Sequence, residues 1–393
     1  MKRSSDLSPL SPLKIELPSG RIWPRVVLVV VLIAMAAGAF AYGILSLLHR
    51  DLGWQQIEAA SPQTIATSEL TLYYPVQAQE EQRTLPALYT QAADRAYKIF
   101  SGASFDGILG LGYLNGHPNE TVTVEPELYR ALEVLERSGS RYLYYAPVYE
   151  RYRGIYNCQE DSETAFFDPA LSDEMASYLA QARSFAENPS AVQVALLGEN
   201  RVKLTVSQAY REFALENELE EFLDFFWLRN AFTVDMVADA LAEAGCTGGF
   251  LSSFEGFARV LGEGRYTLAL YTSLDGAVAQ AAALDYTGPK AIVSFRNFPL
   301  SAADRAYYYV RSDGTVRTPY IGQADSLCHE AVPSLTAFSQ SRGCAELAVS
   351  LLPIYTADTL DETKLNALAD TSAVWDGGSG VLTTGSDITI RKP

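Results

Sequence analysis

The chain has 393 residues and a formal net charge of −17 at pH 7, with 48% hydrophobic and 20% charged residues. That length allows one large domain or two smaller ones. The acidity argues against nucleic acid or another polyanion as the main partner. With only His49, His117 and His329, a histidine-rich metal site is excluded.

Residues 26–48 read VVLVVVLIAMAAGAFAYGILSLL, without a charge. As a helix this run crosses about 30 Å of hydrocarbon with modest tilt, and predicts one transmembrane segment. Trp23 and Tyr42 stand near its ends, where amphipathic rings favour the headgroup layer. Residues 1–25 carry Lys2, Arg3, Lys14, Arg21 and Arg25 against Asp6 and Glu16, so a +3 tail leaves about −20 on the rest. The positive-inside rule places that tail in the cytoplasm and the remainder outside, as a single-pass protein of the cell membrane. Ala39-Phe40-Ala41 keeps a cleaved signal peptide open as the alternative.

Residues 49–66 read as a stalk. A strand follows at Glu69–Val76, a helix at Leu85–Phe100, a glycine-rich turn at Gly107–Gly116 and a strand at Thr121–Val124. The next helix opens on Glu125-Pro126-Glu127, acidic residues suited to a helix N-terminus, and runs to about Ser138. Tyr142–Tyr156 is rich in tyrosine, a packing seam or else a ligand wall. A helix over Pro169–Glu187 precedes a hairpin of Val192–Leu197 and Arg201–Val206 about Gly198-Glu199-Asn200. Then come a helix at Thr233–Ala244, strands near Gly249–Ser253, Tyr266–Tyr271, Ala291–Phe295, Ala306–Val310 and Leu335–Phe338, and helices at Leu274–Leu284 and Cys344–Leu352. Alternation of this kind predicts an α/β (α+β) domain over 67–365 with mostly antiparallel sheet and flanking helices; residues 366–393 form a last hairpin and tail. Cys158, Cys246, Cys328 and Cys344 show no metal-ligand spacing; they are expected as reduced thiols, with a Cys328–Cys344 disulfide as the alternative. Asn119-Glu120-Thr121 fits a glycosylation triplet, a pattern common by chance.

A helix ending Ile99-Phe100-Ser101, a loop to Leu114-Asn115 and the run Val122-Thr123-Val124-Glu125-Pro126-Glu127-Leu128 follow in order. Asp224 and Asp235 stand eleven residues apart, and Ala345-Glu346-Leu347-Ala348-Val349-Ser350 follows the strand Ser334-Leu335-Thr336. This series resembles the ApbE family, flavin transferases that move FMN from FAD onto a threonine of a target protein. The resemblance covers roughly residues 68–360 and implies a single ApbE-like domain. It implies FAD and Mg²⁺ as cofactors, with Asn115, Asp224, Glu255, Gly256 and Ser294 toward the nucleotide. Glu346, Ser350 and Asp235 fall at the metal, and Asp235 is the candidate catalytic residue. Glu346 and Ser350, four apart on a helix, offer oxygen to a hard cation.

The departures weigh on function. The family's lysine falls on Asn230 and its neighbouring glycine on Ala231, and paired glycines read Glu255-Gly256. A Thr-Ser-Gly signature becomes Ser294-Phe295-Arg296, and Thr318-Pro319-Tyr320 stands where a histidine is expected. Glutamate in place of glycine brings bulk and negative charge to a phosphate position. The sequence therefore favours a non-catalytic ApbE-like ectodomain that binds or assembles a membrane or cell-envelope protein. The alternatives are an active transferase and a small-molecule receptor.

Overall fold

The computed structural model describes residues 53–60, 65–274, 277–301, 304, 306–378 and 380–392. The expected tail, transmembrane segment and cleavage site lie outside the described residues, among which no helix is long and apolar enough to cross a membrane.

In chain order the elements are β1 (Gly53–Ile57), β2 (Leu70–Val76), α1 (Gln79–Phe100), β3 (Thr121–Thr123), α2 (Pro126–Ser138), α3 (Asp173–Glu187), β4 (Val192–Leu196) and β5 (Arg201–Val206). Next come α4 (Gln208–Glu216), α5 (Arg229–Glu243), β6 (Phe250–Ser253), β7 (Phe257–Val260), β8 (Arg265–Leu274), β9 (Ala277–Thr287) and β10 (Lys290–Arg296). The chain finishes with β11 (Tyr309–Val310), β12 (Val316–Arg317), β13 (Ser334–Ser339), α6 (Cys344–Tyr355), β14 (Thr371–Asp376), β15 (Val381–Thr383) and β16 (Thr389–Arg391).

Eight strands form one antiparallel sheet in the order β1-β2-β6-β7-β10-β13-β14-β15. Leu70, Leu72, Tyr74 and Val76 alternate into the core on one face, where α5 and α6 pack and α1 lies against α5. Hairpin β8–β9 covers part of the other face. Leu270, Ala282, Leu284 and Tyr286 meet Ala258, Ile292, Phe338 and Val374 in a second, smaller core. Every residue of β13 is consequently buried, as befits a strand covered on both sides. The final segment straps the hairpin down: β16 pairs with β9, Ile388 enters the second core, and Asp387 meets the buried Lys290 ammonium at 2.7 Å.

Several expectations change. Of the span Leu274–Leu284, expected as a helix, Leu274 ends β8 and 277–284 lie in strand β9. Its alanines favour a helix in isolation, but Ala282, Leu284 and Tyr286 bury at a spacing of two, and Tyr286 stacks on Tyr266 across the hairpin at 5.8 Å. The span 49–66, expected as a stalk, contributes the edge strand β1 and the helical turn Ile65–Ser68. Helix α1 starts at Gln79 rather than Leu85, because Glu81 accepts the N–H groups of Gln77 and Ala78 at 2.7 and 3.1 Å in a first turn without apolar periodicity. Helix α5 starts at Arg229 rather than Thr233, and the strand near Ala306–Val310 shrinks to β11. Helix α2 opens on Pro126 as read and stops at Gly139, whose φ of +66° suits a glycine terminator.

Candidate functional site

The turn before α5 holds the first of the paired aspartates. Asn115 is buried and clasps the backbone of Leu223: its Nδ2 donates to the carbonyl at 2.9 Å and its Oδ1 accepts from the N–H at 3.0 Å. Asp224 follows and accepts from the Phe226 N–H at 2.9 Å. Burial pushes the Asp224 carboxyl above its ordinary range, against the pull of that N–H, Arg229 and Arg153. Phe226 has a φ of +44°, a strained conformation for a non-glycine residue, and stacks on Tyr149 at 4.7 Å.

Asn230, at the position of the family's lysine, bridges two carboxylates. Its Nδ2 donates to Glu255 Oε1 at 2.6 Å and to Glu69 Oε2 at 3.0 Å, and Arg229 pairs with Glu69 at 3.0 Å. Glu255 is 1% exposed, and desolvation holds its carboxyl above the usual range. Tyr307 beside it is raised by the same burial and by Glu255 and Glu69. Gly256 has a φ of +95°, and a Cβ there would stand 2.3 Å from the Ser294 carbonyl oxygen, so only glycine fits.

Beyond it the side chains of β10 point alternately to the two faces. Ser294 shares a hydrogen bond with Thr336 at 2.9 Å, and Arg296 pairs with Asp304 at 3.0 Å. Phe295 between them is fully buried, with ring centroids 4.8 Å from Tyr320, 5.2 Å from Tyr355 and 5.9 Å from Trp227.

Asp235 has a different occupation. One oxygen accepts the Cys344 N–H at 2.8 Å and the Arg259 guanidinium at 2.9 Å; the other accepts the Ala345 N–H at 3.0 Å. It therefore caps α6 from a neighbouring helix, where the helix dipole favours an anion. On α6, the Ser350 hydroxyl donates to the Glu346 carbonyl at 2.8 Å, and Arg342 Nη1 donates to that hydroxyl at 3.4 Å.

The residues named by the resemblance thus divide. Asp235 and Glu346 border a cavity of about 710 Å³ between α1, α2, α5 and α6, which Leu88, Val134, Met236, Arg95 and Arg130 also line. Gly256 and Ser294 border a second cavity of about 470 Å³ beneath β8. Asn115, Asp224, Glu255 and Ser350 line neither. Among the described residues no group of three or more His, Cys, Asp or Glu could hold a metal ion.

Tyr142, Tyr144, Tyr145, Tyr149 and Tyr152 are packing residues, all buried. Tyr142 donates to the Ile321 carbonyl at 3.3 Å, and Tyr145 donates to Glu187 with the Gln323 carbonyl 3.1 Å from its hydroxyl. All four cysteines are free thiols. Asn119 uses its whole amide on the backbone of Val206, accepting at 2.9 Å and donating at 3.0 Å.

Glu69, Arg229 and Arg259 had no signal in the sequence, because their partners lie 160, 160 and 24 residues away. Glu221 is another such residue. It lies against Gly102, and burial, with Asp224 adding repulsion, pushes its carboxyl up to about 7. Its folded pKa exceeds the unfolded value, so the stability it supports is present at low pH and is lost as pH rises from 4.5 through 7. Glu221→Gln is expected to flatten that decline and gain about 2 kcal/mol at pH 8, after discounting for solvent screening, with little change at pH 4.5. Urea melts at the two pH values check this.

The sequence matches no protein-family model and no curated protein. Its architecture, however, is that of the ApbE proteins, an ApbE-like fold of helices around antiparallel sheet. The ApbE protein of Thermotoga maritima is 14% identical with a TM-score of 0.55, over 86% of this chain and 96% of that one. The flavin transferase ApbE of Vibrio cholerae is 13% identical with a TM-score of 0.54, over 84% and 96%.

The residues present do not fit magnesium and a flavin nucleotide at the positions the resemblance names. A guanidinium stands on Ser350 where a cation ligand is needed, and Asp235 is committed to two N–H groups and Arg259. Glu255 places a buried carboxyl, and Phe295 a packed ring, where bare backbone is required.

Proposed function

We propose that this chain is a non-catalytic ApbE-like protein, held at the cell membrane by residues 26–48, which binds or assembles a partner outside the cytoplasm. The observation that carries the reading is Asp235. A carboxylate that caps α6 and neutralises Arg259 has a structural task, and its lone pairs are directed at those donors. The filled interior around Phe295 supports it, as does the cluster in which Asn230 donates to both Glu69 and Glu255. The charge-free apolar run with its basic flank supports the membrane assignment.

The test is calorimetric titration of FAD, with magnesium, into the full-length chain in detergent micelles. No heat of binding is expected at micromolar concentrations. Magnesium-dependent binding at that level, followed by FMN transfer to a threonine peptide, would establish a transferase instead.

A further inference from the structure

The β1–β2 end of the main sheet carries an aromatic strip on its outer face. Ile57, Leu70, Leu72, Tyr74 and Val76 turn to the core, so Trp54, Gln56, Thr71, Tyr73 and Pro75 stand on the opposite side. Trp54 is 60% and Tyr73 44% exposed. Trp54 pairs across the strands with Pro75, and Gln56 with Tyr73, which makes the two rings diagonal neighbours, about 7–8 Å apart. Trp54 also meets the Tyr266 ring of β8 edge-on at 6.5 Å, a contact that holds its indole in place.

None of these five outer residues is charged, in a chain with a net charge of −17. Charge resumes only at Glu58 and Glu69, just beyond the strand ends. The indole N–H of Trp54 and the hydroxyl of Tyr73 make no hydrogen bond to another described residue. The strip thus joins apolar ring surface to polar tips that are open to an outside acceptor. Its place in the chain says which acceptor is at hand. Five residues, 49–53, separate Trp54 from Leu48, the end of the charge-free apolar run. An extended chain gains at most about 3.6 Å per residue, so Trp54 lies within about 20 Å of that end. A headgroup layer reaches roughly 5–8 Å beyond the hydrocarbon. Tethering so short keeps the strip beside the headgroups at an effective concentration that a diffusing partner does not match.

We propose that this strip is a lipid-docking surface: Trp54 and Tyr73 enter the headgroup layer of the bilayer that anchors the chain. Amphipathic rings favour that layer, where the N–H and O–H donate to phosphate and ester oxygens while the ring faces meet the outermost methylenes. The lack of charge on the strip spares it the repulsion that an acidic domain meets at anionic headgroups. The proposal rests on the membrane placement proposed above, but not on the loss of flavin chemistry.

The experiment reconstitutes the full-length chain, with Trp23→Phe, sparsely into phosphatidylcholine vesicles that carry a nitroxide on the headgroup. Trp227 and Trp375 are buried, so the emission lost in a further Trp54→Phe variant is that of Trp54. The nitroxide is expected to lower the Trp54 emission by about twofold, the mark of a ring at headgroup level. Tyr73→Glu, at an exposed position, should abolish that quenching without moving the Tm. Should it lower the Tm, Gln56→Glu on the same face serves instead. Quenching that the introduced charge leaves unaltered shows mere proximity and overturns the docking. So does shielding of Trp54 that rises with protein density in the vesicles, the sign of a second copy. A chain that floats with the vesicles while Trp54 stays unquenched removes the docking alone. A chain that does not float removes the membrane placement and the docking with it.

Discussion

Phe295→Ala is expected to destabilise the protein by about 4 kcal/mol, the range for deleting a buried phenyl ring from a well-packed core. The ring is fully buried and touches Tyr320, Tyr355 and Trp227 from three sides. Those neighbours are themselves large and constrained. Tyr320 donates to the Glu255 carbonyl at 3.1 Å, and Trp227 stacks on Phe257, so the cavity has little freedom to collapse. Denaturant melts measure the loss from the midpoint at constant slope. A cost below 1 kcal/mol would mean that the ring fills space loosely, and that the interior retains room for a flat ligand.

The second large effect falls on Asp235. Asp235→Ala is expected to cost roughly 3 kcal/mol, because it opens two N–H groups at the start of α6 and leaves the half-buried Arg259 without its closest partner. Asp235→Asn keeps one acceptor for the helix but loses the charge, and should fall between wild type and the alanine variant. A metal ligand would behave differently: its removal would leave the melt unchanged in chelator and abolish a magnesium-dependent rise in Tm. For this chain we expect the destabilisation to be the same with and without magnesium.

Both residues illustrate what a sequence displays and what it withholds. Phe295 was visible as a bulky departure from a glycine-bearing signature. That its ring turns inward follows from the pleat of β10, between Ser294 and Arg296 on the other face. Asp235 was visible as one of a spaced pair, but its partners are the amides of Cys344 and Ala345, more than a hundred residues on. Spacing along a chain carries no information about such a contact. The same division holds for the fold. Leu70–Val76, Val192–Val206 and Pro126–Ser138 announced themselves through alternation, a turn at Gly198 and a proline start, all local signals. Strand β9 did not. Its alanines prefer a helix, and only packing on Ile292 and Phe338 turns the segment into a strand. The order of the landmarks conveyed the architecture because a fold preserves order even where individual side chains have diverged.

The strand order carries a kinetic implication. Strand β2, at residues 70–76, has β1 on one side, but its other neighbour is β6 at 250–253, and the sheet is completed only by β14 and β15 after residue 371. Contacts this distant in the chain are entropically costly to close and make assembly slow. A chain delivered from its N-terminus therefore holds β2, with its four apolar core residues, beside an unpaired edge through the emergence of some 170 further residues. Over that interval the nascent segment is sticky, and whatever shields it governs yield as much as the stability of the finished domain does.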